Sequence, residues 1–164
     1  MGSGKSTIGK SLSIKLNIPF IDLDQFIENQ EDESIKSLFD NKGELYFRKL
    51  ERQALLQLIA LKDPAVISLG GGTPCYFDNM EKLVLSKHNS IYLKASIPTL
   101  VDRLKKEKNT RPMIAHLNED NALIEFIGKH LFERNAYYQQ AKLTYSIDGL
   151  TTEEITNALQ LSLT

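Results

Sequence analysis

The feature that most constrains this chain is its first seven residues, MGSGKST. Glycines let the backbone curl until successive N–H groups point into one concavity, and the helix predicted to follow adds partial positive charge there. The stretch matches the end of the G-x-x-x-x-G-K-[ST] phosphate loop, so Lys5 should reach the β- and γ-phosphates and the Ser6 hydroxyl should bind Mg²⁺. A flexible Gly/Ser terminus is the alternative, but the apolar helical pattern that begins at once favours the phosphate loop.

Part of this motif is missing from the sequence. The first glycine of the pattern, and the strand that normally leads into it, would both fall before Met1. We therefore interpret Met1 as an internal methionine or as the edge of a cut fragment. An in-frame, β-branched segment of roughly 10 residues that ends in glycine is expected immediately upstream, and a stop codon there would contradict this expectation.

Length and composition predict one globular domain, residues 1–164, of ordinary soluble character. Hydrophobic residues make up 41% of the chain and charged residues 25%, which argues against disorder. The net charge of −1 gives no overall attraction to nucleic acid or to an anionic membrane. Cys75 is the only cysteine, so no intrachain disulfide can form. We expect a cytoplasmic protein with neither a nucleic-acid nor a membrane partner.

Short apolar segments alternate with helical patterns, which predicts a parallel sheet covered by helices on both faces. The predicted strands are 20–24, 65–69, 90–94 and 143–147. The first of them ends in Asp22 and Asp24, at the edge where open α/β sheets bind ligands. Two carboxylates spaced in this way can approach a metal-bound phosphate and an acceptor together. Alternatively, one of them caps the next helix, a role that we expect in part for Asp24.

Two further features predict contacts with a ligand. A long helix is predicted after Gly43, with Arg48 near its start and Glu51 three residues on. Such a spacing indicates either a solvated ion pair or site residues. The apolar segment 65–69 runs directly into Gly70-Gly71-Gly72, where we predict backbone placed against a ligand that a Cβ would block. A flexible turn is the alternative.

The polar and basic segment 105–119 is predicted to be a lid. Its lysines need no role beyond solvation, whereas Arg111, restrained by the proline that follows, is predicted to close over phosphate when substrate is present. The helix predicted over 121–140 carries Arg134 near its middle and is expected to turn Phe132 inward. Together these groups are suited to phosphoryl transfer, and they indicate a small-molecule kinase without naming its acceptor.

The order of the motifs adds a resemblance to a known family. MGSGKST, FIDLDQFIE, GELYFRKLE, LGGGTP, TRP and FERNAYY resemble the shikimate kinase family, over Gly2 to about Gln140. The resemblance implies a three-layer α/β P-loop kinase fold with strand order 2-3-1-4-5, whose first, central strand is absent from this sequence. It also implies transfer of the γ-phosphoryl group of ATP to the 3-hydroxyl of shikimate, with Mg²⁺, towards chorismate and the aromatic amino acids. Because the absent strand would be central, we expect the sequence as given to be unstable or inactive.

The resemblance also implies roles for individual residues in a monomeric enzyme. The ATP phosphates would be bound by Gly2, Ser3, Gly4, Lys5, Ser6, Thr7 and Arg111. Mg²⁺ would be held by Ser6, with Asp22 in the outer shell of the metal. Shikimate would be bound by Asp24, Arg48, Gly71 and Arg134, within an acceptor region of about residues 24–62. The catalytic residues would be Lys5, Asp24 and Arg111.

The sequence departs from the family pattern in its last third. Tyrosines occur both three and four residues after Arg134, and the acidic residue that usually follows the next alanine is missing. We therefore assign no adenine contact to the last strand, while Arg103 would lie near the adenine. The alternatives are another small kinase of this fold, acting on gluconate or a nucleotide, and a non-catalytic relative. The triple glycine and Phe47-Arg48 favour shikimate.

Overall fold

The computed structural model describes residues 2–106, 117 and 120–163. The helices described are α1 Lys5–Leu16, α2 Leu23–Glu31, α3 Ile35–Lys42, α4 Glu44–Ile59, α5 Asn79–Leu85, α6 Ile97–Lys106, α7 Asp120–Tyr138 and α8 Thr152–Leu163. The strands are β1 Phe20–Asp22, β2 Val66–Ser68, β3 Ile91–Lys94 and β4 Leu143–Ser146. The four predicted strands are confirmed, each one or two residues shorter than expected. Arg111 and nearly all of the predicted lid lie outside the described residues.

The strands form two parallel pairs, and within each pair the carboxyl ends of the two strands lie side by side. β1 pairs with β2 so that Asp22 lies opposite Ser68, and β3 pairs with β4 so that Lys94 lies opposite Ser146. If the strand expected before Met1 is counted as strand 1, then β1 and β2 are strands 2 and 3, and β3 and β4 are strands 4 and 5. Both pairs are neighbours in the expected order 2-3-1-4-5. Within the described residues β2 and β3 do not pair with each other. The strand expected before Met1 stays a prediction.

Three apolar clusters of described residues hold the helices in place, and the smallest joins α4 and α5 through Leu55, Met80 and Leu83. The largest joins α1, α6, α7 and α8 and includes Ile8, Leu12, Leu104, Ile127, Ile147 and Leu159. A second cluster joins α2, α3 and α4 through Leu23, Ile27, Leu38, Phe47, Ala54 and Leu58. Each fully buried leucine stabilises the fold by about 1.5–3 kcal/mol. The second cluster therefore fixes the helices that carry Asp24 and Arg48 relative to each other.

One expectation about the core is wrong. The side chain of Phe132 is 87% exposed, although the sequence pattern predicted that it points inward. The buried residues of α7 are Leu123 and Ile127, and Phe132 follows Ile127 by five positions. At 3.6 residues per turn, this spacing turns Phe132 about 140° away from the buried face. Among the described helices, none is long and apolar enough to cross a membrane.

Candidate active site

The first helix begins on a left-handed glycine. Gly4 has φ 82° and ends the loop, and α1 follows directly at Lys5 without a side-chain cap or an acidic residue in its first turn. The N–H groups of a first helical turn lack intrahelical acceptors, and they carry the positive end of the helix dipole. The start of α1 is therefore suited to bind an anion.

A second cation lies beside this loop. Arg103, on α6, donates a hydrogen bond from Nη1 to the main-chain oxygen of Ser3 at 3.2 Å. A Cβ on Gly4 would lie 3.6 Å from the same nitrogen. The contact joins α6 to the loop and adds positive charge where phosphate is expected, and the expectation that Arg103 lies near the adenine stays a prediction.

Hard oxygen donors gather at the carboxyl ends of β1 and β2. The Ser6 hydroxyl donates to Asp22 Oδ2 at 2.9 Å and lies 3.5 Å from the Ser68 hydroxyl. These oxygens suit Mg²⁺, which is usually bound by one or two protein groups, with substrate phosphates and water completing the shell. Among the described residues, no group of three or more His, Cys, Asp or Glu side chains forms a metal cluster. Ser68 was not singled out by the motifs, although its place at the end of β2 is a usable signal.

The two aspartates have different structural roles from those expected. Asp22 caps α2, because its Oδ1 accepts the main-chain N–H of Asp24 at 3.1 Å. The expectation that Asp24 would contribute to this cap is therefore wrong. Asp24 lies in the first turn of α2 instead, and its pKa is raised to about 6 by burial and by the nearby charges of Asp22 and Glu51, with Lys5 acting in the opposite direction. A carboxylate with such a pKa can orient a hydroxyl group or accept its proton near neutral pH.

The ion pair of Arg48 is buried rather than solvated. Arg48 Nη1 donates to Glu51 Oε2 at 2.8 Å, and the two side chains are 11% and 1% exposed. The other Glu51 oxygen accepts the Thr73 hydroxyl at 2.5 Å. The guanidinium carbon of Arg48 lies 4.0 Å from the centroid of the Tyr76 ring. Glu51, Thr73 and Tyr76 therefore fix the plane of the Arg48 side chain.

Two of the three glycines, Gly70 and Gly72, pack against these charged side chains. A Cβ on Gly72 would lie 2.8 Å from Arg48 Nη1, so a larger residue would displace the guanidinium. A Cβ on Gly70 would lie 3.0 Å from Glu51 Oε1 and 3.2 Å from Asp24 Oδ1. Residues Gly70–Gly72, the glycine corner, therefore pack too closely at Gly70 and Gly72 to be a freely flexible turn, and their contact with a ligand stays a prediction.

Arg134 reaches the same corner from the last third of the chain. It lies on α7, one turn before Tyr138, whose hydroxyl donates to the main-chain oxygen of Gly71 at 2.6 Å. Burial raises the pKa of Tyr138, and Arg134 lowers it through its charge and a side-chain hydrogen bond. Of the two tyrosines that the sequence left ambiguous, Tyr138 is thus the one that contacts the glycine corner.

The described part of the site has two ends, and each is suited to a different kind of ligand. At one end, the main-chain N–H groups at the start of α1 and the charge of Lys5 are suited to polyphosphate. At the other, two arginines and the glycine corner are suited to a small anionic acceptor, and Asp24 lies near Lys5 on one side and Gly70 on the other. Such a site, on a helix-covered parallel sheet, is that of a P-loop small-molecule kinase.

Comparisons with known proteins give the particular family. The family model described as shikimate kinase matches residues 1–164. The curated shikimate kinase of Flavobacterium johnsoniae is 48% identical over 154 residues, which cover 94% of this chain and 89% of the relative. That of Flavobacterium psychrophilum is 47% identical over 157 residues, covering 94% and 90%. The chain belongs to the shikimate kinase family.

Solved structures agree with this assignment. The crystal structure of shikimate kinase from Bacteroides thetaiotaomicron superimposes with a TM-score of 0.91 at 38% identity, covering 99% of this chain and 93% of that one. Shikimate kinase from Acinetobacter baumannii in complex with shikimate gives a TM-score of 0.83 at 28% identity, covering 99% and 88%. The expected P-loop kinase fold is therefore confirmed.

Proposed function

We propose that this protein transfers the γ-phosphoryl group of ATP to the 3-hydroxyl of shikimate, giving shikimate 3-phosphate for the synthesis of chorismate and the aromatic amino acids. The observation that carries the proposal is the convergence of Arg48, Arg134 and the glycine corner beside Asp24. A guanidinium group matches a carboxylate through two parallel hydrogen bonds, which a lysine cannot form. The two arginines would thus bind the carboxylate of shikimate, while the main chain of Gly71 contacts its ring.

The phosphate end would bind ATP through the loop Gly2–Thr7. The N–H groups at the start of α1 and the Lys5 ammonium would neutralise the phosphate oxygens, and the lid arginine, Arg111, would act from outside the described residues. Mg²⁺ would be held by Ser6 with Asp22 in its outer shell, and it would supply charge neutralisation on the β- and γ-phosphates. Because a metaphosphate-like transition state needs little covalent assistance, positioning and charge neutralisation are the main contributions of the protein.

Asp24 would act on the attacking oxygen. Its carboxylate would accept a hydrogen bond from the 3-hydroxyl and take its proton as the oxygen bonds to the γ-phosphorus. The bond from that phosphorus to the bridging oxygen breaks, and ADP leaves with the electron pair. Lys5 lies close enough to lower the pKa of Asp24 electrostatically, which keeps part of the carboxylate ionised.

A coupled ADP-release assay on the full-length protein tests this proposal. Shikimate, gluconate and nucleoside monophosphates are compared as acceptors, with and without Mg²⁺. We expect Mg²⁺-dependent ADP release with shikimate alone. Release with gluconate but not shikimate would overturn the assignment, and ATP binding without release for any acceptor would indicate a non-catalytic relative. We further propose that the enzyme works as a monomer in the cytoplasm, which size-exclusion chromatography and cell fractionation can test.

A further inference from the structure

A carboxylate of the protein itself occupies one edge of the Arg48 guanidinium. Glu44 Oε1 accepts hydrogen bonds from Arg48 Nε at 3.3 Å and Nη2 at 3.2 Å. The remaining terminal nitrogen, Nη1, is bound to Glu51. The side chain of Glu51 is 1% exposed and that of Glu44 is 53% exposed. Of these two carboxylates, Glu44 is therefore the one that can leave the guanidinium for water.

The Glu44 carboxylate lies in the field of both arginines proposed to bind the acceptor. Its pKa is lowered by a hydrogen bond from Tyr76, and also by Arg48 and Arg134. The Tyr76 hydroxyl donates to Glu44 Oε1 at 2.7 Å. Glu44 thus has the charge of an external carboxylate, and its Oε1 accepts from both N–H groups on one edge of Arg48. A ligand carboxylate that forms two parallel hydrogen bonds with this edge of Arg48 would need the donors that Glu44 now occupies.

We propose that Glu44 is an internal competitor, which occupies Arg48 in the ligand-free enzyme and is displaced by the carboxylate of the acceptor. The inference rests on the proposed function, because it assumes that Arg48 binds this carboxylate. A planar guanidinium presents only one pair of parallel N–H groups on this edge, and Glu44 uses both. Since Glu44 is exposed, it can leave by a side-chain rotation at the start of α4, without a change in the main chain.

The displacement adds selectivity to the acceptor site. A ligand that bears a carboxylate replaces the lost contact with Arg48 by an equivalent one. A neutral ligand of the same ring shape cannot do so, and it leaves Glu44 in place. Glu44 also keeps Nε and Nη2 of Arg48 hydrogen-bonded before binding, while Nη1 stays on Glu51.

Calorimetric titration of shikimate into the ligand-free, full-length protein tests the inference. We compare the wild type with Glu44→Gln, which keeps the size of the side chain and removes its charge. The matched control is Glu153→Gln, because Glu153 is an exposed glutamate in the first turn of α8, as Glu44 is in α4. Partly exposed ion pairs contribute modestly, so Glu44→Gln should lower the Kd for shikimate about two- to fivefold. Glu153→Gln should leave it unchanged.

A second ligand and a second measurement complete the test. The carboxamide analogue of shikimate should bind the wild type and Glu44→Gln with equal affinity, because it cannot compete for Arg48. In a crystal of the wild type with shikimate, the Glu44 carboxylate should lie more than 4 Å from Arg48. Three results would each overturn the inference. Glu44→Gln could bind shikimate no more tightly than the wild type does, or it could gain as much affinity for the carboxamide as for shikimate. The third is a Glu44–Arg48 contact that stays intact in the complex with shikimate. A wild type that binds no shikimate would overturn the proposed function, and this inference with it.

Discussion

Asp24 should make the folded protein less stable at neutral pH, and its substitution by asparagine should raise stability while abolishing turnover. The pKa of Asp24 rises from its ordinary 3.8 to about 6 on folding. A rise of that size corresponds to about 3 kcal/mol of unfavourable free energy for the ionised group. Because the side chain is partly exposed and solvent screens its charge, we expect a gain of about 1–3 kcal/mol for Asp24→Asn.

The pH dependence gives the sign of this effect. The folded state binds a proton at Asp24 more tightly than the unfolded chain does, so ionised Asp24 opposes folding fully above about pH 6. As the pH falls from 6 towards 3.8, the group becomes protonated in the folded protein and the penalty disappears. The stability difference between Asp24→Asn and the wild type should therefore be largest near pH 7.5 and approach zero near pH 4.

Urea unfolding of both proteins between pH 4 and pH 7.5 measures this difference. The control is Asp148→Asn, because hydrogen bonds from Thr99 and Ser96 lower the pKa of Asp148. Its carboxylate stabilises the fold when ionised, so this substitution should reduce stability at neutral pH. An Asp24→Asn variant no more stable than the wild type at pH 7.5, or a stability difference independent of pH, would refute the reasoning. The ADP-release assay should show collapsed turnover for Asp24→Asn, with ATP binding nearly intact.

Three further substitutions test the acceptor end. Arg48→Lys removes the planar guanidinium and should raise the KM for shikimate about tenfold or more, because charged hydrogen bonds to the carboxylate are lost. An unchanged KM would exclude carboxylate binding by Arg48. Tyr138→Phe removes the hydrogen bond to Gly71 and should raise the KM for shikimate about two- to tenfold, while the KM for ATP stays constant. Parallel changes in both KM values would contradict a role of Tyr138 at the acceptor end alone. Glu51→Gln leaves Arg48 without its buried partner and should lower the free energy of unfolding by about 3–5 kcal/mol in urea titration, whereas an unchanged midpoint would refute the burial argument.

Several parts of the fold followed from short-range patterns alone. Strand 65–69 is a continuous apolar run, and the glycines after it mark where the strand ends. The phosphate loop was recognisable because its chemistry is local, with the turn, the lysine and the helix start contained in seven residues. The order of the motifs also identified the family, since their separations along the chain are part of the resemblance.

Local sequence patterns gave wrong side-chain positions where the same residues were compatible with two arrangements. Either aspartate of the pair could cap α2, and the structure uses Asp22, whose carboxylate also accepts the Ser6 hydroxyl from a neighbouring element. Phe132 belongs to an apolar stretch, but the direction of a helical side chain depends on where the rest of the protein lies. An Arg48–Glu51 spacing looks the same whether water or protein surrounds it.

The sequence by itself determined the phosphate loop, the alternation of strands and helices, and the kinds of charged group available. Only the tertiary structure decided that the Arg48–Glu51 pair is buried, that Thr73 donates to Glu51, and that Tyr138 reaches the main chain of Gly71. The two pairs that Arg48 forms with Glu44 and Glu51 lie within α4, four and three residues apart, so the sequence places the partners near each other but does not tell whether water or protein surrounds them. The contacts of Thr73 and Tyr138 join groups 22 and 67 residues apart, and neither partner carries a local pattern that names the other. Packing of separate elements brings these two contacts together, so they are properties of the fold and not of any segment.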